Sequence, residues 1–99
     1  MDNKSNVNEN NEVITGVTSS GFQYTLNKED LDNYELLEIL AEIDAGNEQL
    51  YPKMITMFLG EDQKECLKEH LRDKNGKIST VAMFNEVSEI FSQAKTVKN

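Results

Sequence analysis

FLGEDQKECLKEHLRDKNGKIS, residues 58–79, decides the fold of this chain. The stretch predicts the end of one helix, a short second helix, a glycine turn and the start of a long last helix, because Gly60 and Gly76 interrupt runs of helical spacing. It also contains the chain's single cysteine, Cys66, and its single histidine, His70. Because no further residue completes a catalytic set with them, the stretch indicates a small helical binding protein rather than an enzyme.

Helix-start signals occur at four places in the chain. Asp32 and Asp62 each precede a glutamate by three residues, which is the spacing of a capping box. Pro52 predicts a further start at about residues 49–51, because proline favours the first turn of a helix. Ser79 is a suitable N-cap for the last helix. We therefore expect about four helices.

The chain before these helices has a different character. Val13–Thr15 and Phe22–Thr25 are β-branched and aromatic segments separated by a Gly- and Ser-containing loop from residue 16 to 21, and they predict two short strands. Residues 1–12 are rich in asparagine and are predicted to be a disordered N-terminal tail. Residues 13–95 then form a single helical domain, and 96–99 a frayed C-terminal tail. The predicted fold is mainly α, a small bundle of about four helices with a short N-terminal β-hairpin or extended segment.

Two of the predicted helices are rich in apolar side chains. Residues 50–59 leave little polar face, and such a helix is either buried or part of an interface. Residues 83–94 carry an apolar stripe at i, i+3, i+4 and i+7. Most of these side chains should be core, and the remainder would bind a partner protein or a second copy in a homo-oligomer. The candidate protein-binding residues are Leu50, Met54, Met57, Phe58, Met83, Phe84, Val87 and Phe91.

The charge balance excludes several classes of partner. Eighteen acidic residues against ten basic ones give a net charge of −8, which repels nucleic-acid phosphates and anionic membrane surfaces. No apolar run approaches the length of a membrane span. We expect no nucleic acid and no membrane as a partner, and a cytoplasmic location, because a single cysteine suits a reducing compartment.

Two segments have partial metal-site or catalytic patterns. Cys66 and His70 are one helical turn apart, but two ligands are too few for zinc, and we expect Cys66 on the inner side of its helix as a small core residue. Residues 73–79 are similar to the middle of a calcium-binding EF-hand loop. In that register Leu71 and Ala82 occupy the two end positions, where calcium requires carboxylates. We predict no catalytic, metal-binding or cofactor-binding residue.

A resemblance to a known family rests on four short segments of the sequence: GFQYT (21–25), LDNYELLE (31–38), LGEDQ (59–63) and HLRDKNGKIS (70–79). Together they resemble the small tail assembly chaperones of long-tailed phages and prophages of Gram-positive bacteria, over about residues 20–92. The resemblance implies a non-enzymatic helical protein that binds the tape-measure protein and keeps its hydrophobic helices soluble. It also implies help in recruiting the major tail protein, action in the host cytoplasm during phage assembly, and absence from the mature virion.

A second hypothesis follows from the charge alone. A small acidic regulatory protein could inhibit a host or phage protein by charge mimicry. Salt separates the two hypotheses, because binding by an apolar groove should depend weakly on ionic strength whereas charge mimicry should weaken steeply as salt screens it.

Overall fold

The computed structural model describes the backbone of residues 12–97 and the side chains of residues 12–94. The tail predicted to be disordered therefore lies outside the described residues, except for Glu12. The same is true of positions 98 and 99 of the predicted frayed tail, whereas the last helix continues to Val97.

The chain begins with an antiparallel hairpin. Strand β1 comprises Val13–Val17 and strand β2 comprises Gln23–Asn27, with Gly16 opposite Tyr24 in the register. Alternate side chains of the strands, including Tyr24 and Leu26, are buried, so one face of the hairpin packs on the protein core. The predicted hairpin is confirmed. Because a two-stranded hairpin is marginally stable by itself, its order depends on this packing.

Five α-helices follow in the described part of the chain: α1 (Lys28–Leu31), α2 (Tyr34–Asp44), α3 (Tyr51–Leu59), α4 (Glu61–Leu71) and α5 (Thr80–Val97). A turn of 3₁₀-helix, Glu48–Leu50, precedes α3. The mainly α prediction is confirmed, and the helix beyond the expected four is the single turn α1.

Two helix starts agree with their sequence signals. The Ser79 hydroxyl accepts a hydrogen bond from the Ala82 backbone N–H at 3.1 Å, so the predicted cap of α5 is present. Pro52 lies in the first turn of α3, as its fixed φ favours. The intervening turn is also as expected, since Gly76 has φ 84° and the Asp73 carboxylate accepts two backbone N–H groups.

The two capping-box predictions are wrong in detail. Helix α2 is capped by Asn33 rather than Asp32, and the Asn33 side chain accepts the Glu35 N–H at 2.9 Å. Helix α4 begins directly after Gly60, and no side chain in the described part of the chain caps it. Gly60 adopts φ 87°, so it ends α3 and starts α4 at one residue, which leaves Asp62 inside the first turn. The tight junction removes the space that a capping residue would need.

The core surrounds α3. Its most completely buried large side chains come from β2 and from three helices: Leu26, Met54, Phe58, Leu67, Val87 and Ile90. The rings of Phe58 and Phe91 stack in parallel with centroids 3.9 Å apart, which ties α3 to α5. Of the helices that the structure describes, none is both long enough and apolar enough to cross a membrane.

Candidate functional site

The structure divides the predicted protein-binding residues between core and surface. Met54 and Phe58 are buried, because α3 is covered on several sides by the hairpin and the other helices, and Val87 of α5 is buried in the same core. The remaining five are only partly buried: Leu50, Met57, Met83, Phe84 and Phe91. The partner-binding role of the set stays a prediction, but a partner could reach only these five without opening the fold. Phe91 lies in one surface groove, and Met83 and Phe84 lie in another.

The first groove, which we name the α2 groove, has a volume of about 500 Å³. It lies where α1 and α2 face the start of β1 and the C-terminal part of α5. The residues that line it are Ile14, Lys28, Leu31, Asp32, Asn33, Leu36, Leu37, Leu40, Phe58, Phe91 and Ala94. Its wall is mostly leucine and phenylalanine, which is typical of a groove that holds apolar side chains.

One side of the α2 groove is a single face of α2. Leu36, Leu37 and Leu40 follow the i, i+1, i+4 spacing that brings side chains together along one side of a helix. Leu36 is buried, Leu40 is half-buried, and Leu37 is 59% exposed. The helix therefore presents more apolar surface than its packing on α3 and on the 3₁₀ turn covers. Exposed apolar surface beside a groove commonly marks a protein-binding site.

The α1 end of this groove is acidic. Asp32 lines it, and Glu29, Asp30 and Glu35 are exposed on the same short segment. Lys28 also lines the groove, but its ammonium is paired with the Glu12 carboxylate at 2.8 Å. The local field at this end is therefore negative, although the groove wall itself is apolar.

The second groove, which we name the α5 groove, has a volume of about 570 Å³. Tyr51 and Phe84 form its aromatic wall, with ring centroids 4.1 Å apart, and burial raises the pKa of the Tyr51 phenol. Its other wall includes Lys64 and Lys68 of α4. The charged residues that line this groove are therefore two lysines and one acid, Glu48.

The lysines of the α5 groove already have partners. Lys64 donates to the Thr56 hydroxyl at 2.8 Å, and Lys68 pairs with Glu65 at 3.2 Å. A ligand in this groove would have to compete with these contacts or leave them in place. These lysines are therefore less available to a charged partner than the exposed carboxylates of Glu29, Asp30 and Glu35, which lie on the segment beside the α2 groove.

The predicted position of Cys66 is wrong. Cys66 is exposed, because Leu67 and the partly buried Leu71 form the inner face of α4 and rotate Cys66 outward. His70 is exposed as well; its Nε2 lies 2.9 Å from the Ser20 hydroxyl, and its ring packs on Phe22 at 5.5 Å. Within the described residues, no three His, Cys, Asp or Glu side chains are placed to hold a metal ion.

Two glutamines fasten the hairpin to the helices and were not recognised from the sequence. The Gln63 side chain accepts the Thr25 N–H at 2.7 Å and donates to the Thr25 carbonyl at 2.8 Å. Gln93 donates to the Val17 carbonyl at 3.2 Å and accepts the Tyr24 hydroxyl at 2.5 Å. Burial, together with the nearby Glu89 carboxylate, raises the pKa of Tyr24. The glutamines therefore hold β1, and with it Ile14, beside the α2 groove.

The α2 groove residues Leu36, Leu37 and Leu40 were recognised only as a helical repeat. The available signal was the doublet Leu36–Leu37 together with Leu40, which widens the apolar stripe of this helix. Comparison of the chain with protein-family models, with curated proteins and with solved structures finds no match. The functional proposal therefore stands on the grooves and on the resemblance of the four sequence segments.

Proposed function

We propose that this protein is a non-enzymatic tail assembly chaperone of a phage or prophage that holds an apolar helix of the tape-measure protein in the α2 groove. The observation that carries the proposal is an open groove with a leucine and phenylalanine wall, in which Leu37 remains 59% exposed. An amphipathic helix that lays its apolar face into such a groove is a recurrent mode of protein recognition.

The sequence resemblance and the groove involve the same residues. Five of the groove-lining residues belong to the segment 31–38, which is one of the four segments that carry the resemblance: Leu31, Asp32, Asn33, Leu36 and Leu37. This coincidence supports the chaperone proposal, since it links the family signature with a surface suited to binding.

Burial of Leu37 by a partner would be favourable. Fully burying a leucine side chain contributes about 1.5–3 kcal/mol, so covering the exposed part of Leu37 contributes about 1–2 kcal/mol. Leu31, Leu40 and Phe91 are partly buried and would add to this. The same contacts would cover apolar surface of a tape-measure helix that otherwise aggregates.

Co-expression with the tape-measure protein of the same phage or prophage genome tests the proposal. We expect a soluble complex that survives a pull-down in about 1 M salt, where the screening length falls to roughly 3 Å. Leu37→Asp should abolish the complex, because it places a charge in the apolar contact. Val81→Asp is the matched control, since Val81 is 67% exposed on α5 and does not line the α2 groove.

The outcomes separate the two grooves. Loss of the complex with Val81→Asp but not with Leu37→Asp would move the partner to the neighbourhood of Ser79–Phe84 and the α5 groove. An insoluble tape-measure protein with nothing bound to the wild-type chain would contradict the chaperone proposal. Both substitutions are at exposed positions, so each variant should retain nearly the stability of the wild type.

The acidic segment around α1 favours a second candidate function. Glu29, Asp30 and Asp32 would suit an inhibitor that acts by charge mimicry on a basic surface of a host or phage protein. Such a complex should dissociate in about 1 M salt and should tolerate Leu37→Asp, which is the opposite of the chaperone result.

The proposed role in assembly further requires that purified virions lack the protein, which immunoblotting of particles would test.

A further inference from the structure

We infer that the α2 groove selects a helix of another protein whose apolar stripe is flanked by lysine or arginine side chains at the end that lies against α1. This inference rests on the proposed function and specifies the chemistry of the partner. The wall of the groove provides apolar contact for any amphipathic helix. The charges around the groove are distributed unevenly, and this distribution is what would distinguish one helix from another.

The negative charge is concentrated at one end. The segment 28–38 contains five carboxylates, namely Glu29, Asp30, Asp32, Glu35 and Glu38, all of them exposed. Its single cation is Lys28, whose ammonium lies 2.8 Å from the Glu12 carboxylate. Of the five carboxylates, Asp32 lines the groove, and the other four are exposed on the segment beside it.

The opposite side of the groove is apolar. Among the described side chains, α5 contributes only Phe91 and Ala94 to the lining, and neither is charged. A bound helix would meet carboxylates at the α1 end and the hydrocarbon of Phe91 and Ala94 on the described part of α5. Cationic side chains near one end of the bound helix would thus lie within a Debye length of several carboxylates, and acidic side chains there would be repelled.

A second copy of the chain fits this groove poorly. Each copy has a net charge of −8, and the exposed apolar residues of α2, Tyr34 and Leu37, are next in sequence to Glu35 and Glu38. Residues 1–11 are equally unsuitable, because they contain two large apolar residues, Met1 and Val7, and an excess of acid over base. The charge pattern therefore favours a basic helix from a different protein.

Two designed peptides provide the test. Both carry the same leucine stripe at helical spacing, and one has lysines and the other glutamates beside the stripe at one end. Fluorescence anisotropy would measure their affinity for the full chain at low and at high salt. We expect the lysine peptide to bind about 10-fold more tightly at low salt, with the difference largely lost at about 1 M salt.

Charge reversal on the protein should invert the preference. The double variant Asp32→Lys/Glu35→Lys should bind the glutamate peptide more tightly than the lysine peptide. The matched control is Glu65→Lys/Glu69→Lys, which changes the net charge equally but on α4, where both carboxylates are exposed. The control should retain the wild-type preference, because the effect is local to the α1 end of the groove.

The results of this test distinguish failure of the inferred charge selectivity from failure of the proposed helix-binding function. Equal binding of both peptides, abolished by Leu37→Asp, would leave the helix-binding function intact and overturn the inferred selectivity. Binding of neither peptide would overturn both proposals. A dimer in light scattering that Leu37→Asp converts to a monomer would assign the groove to a second copy and would also overturn the inference.

Discussion

At the scale of single residues, the packing of the hairpin requires a glycine, which has no Cβ atom, at position 16. Gly16 lies opposite Tyr24, and the tyrosine ring crosses the backbone of β1 at this point. A Cβ atom on Gly16 would lie 2.3 Å from the Tyr24 hydroxyl oxygen and 2.6 Å from Cζ. Because Tyr24 is buried and donates to Gln93, its ring has little freedom to move away.

Gly16→Ala should therefore destabilise the protein by about 1–3 kcal/mol, the usual cost of overpacking. Without this clash, alanine in place of glycine would stabilise by about 0.4–1 kcal/mol through the unfolded chain, so the sign of the effect is diagnostic. Urea denaturation monitored by circular dichroism measures the difference. In a Tyr24→Leu background the penalty should largely disappear, and an unchanged penalty there would contradict the proposed contact.

The sequence places Gly16 in the loop between the strands, whereas the structure places it within β1. Glycine is a loop signal in a single sequence, because its permissive backbone is visible there and its cross-strand neighbour is not. Leu37 is a comparable case. Its helical position follows from the sequence, but its 59% exposure depends on how α2 packs on α3 and on the 3₁₀ turn.

At the scale of elements, the sequence correctly predicted the caps and turns that depend on residues close together in the chain. The Ser79 cap, the Gly76 turn and the position of Pro52 all involve residues a few positions apart, and all are confirmed. The Asp62 cap failed because the preceding helix continues up to Gly60 and leaves no capping position. The length of α3 is set by its burial in the core, which a short sequence pattern does not contain.

Two alanine substitutions compare the confirmed cap at Ser79 with the predicted cap at Asp62. Ser79→Ala should cost about 1 kcal/mol, because the Ala82 N–H loses its partner. Asp62→Ala should cost less than about 0.5 kcal/mol, since only a favourable interaction with the helix dipole at an exposed position is lost. Thermal and urea denaturation of both variants would measure the difference. Equal losses would show that Asp62 caps α4 in solution.

At the scale of the whole molecule, the mainly α class and the hairpin were predicted from the sequence. The packing of the hairpin on the helices was not. The link is Gln63, which hydrogen-bonds to Thr25 across 38 positions of sequence. A glutamine among the polar residues of α4 has no pattern that identifies its partner. The same limit applies to the α2 groove, whose walls come from β1, α2 and α5 and are far apart along the chain.

Gln63 occupies the place of a neighbouring strand. Its amide oxygen accepts from the Thr25 N–H, and its amide nitrogen donates to the carbonyls of Thr25 and Leu59. The side chain thereby satisfies the free edge of β2 and connects it to the junction of α3 and α4. Loss of such a connection should loosen the hairpin before it unfolds the helices, because local opening precedes global unfolding where few contacts hold an element.

Gln63→Ala should therefore accelerate hydrogen exchange at the Thr25 amide and cost about 1–3 kcal/mol in global stability. Gln63→Glu separates the two bonds, because a carboxylate can still accept from the Thr25 N–H but cannot donate to the carbonyls. Gln49→Ala, an exposed glutamine on the 3₁₀ turn, is the control and should change neither quantity. Since Ile14 of the hairpin lines the α2 groove, Gln63→Ala should also weaken binding of the lysine peptide. Faster exchange without weaker binding would show that the helices alone form the binding surface.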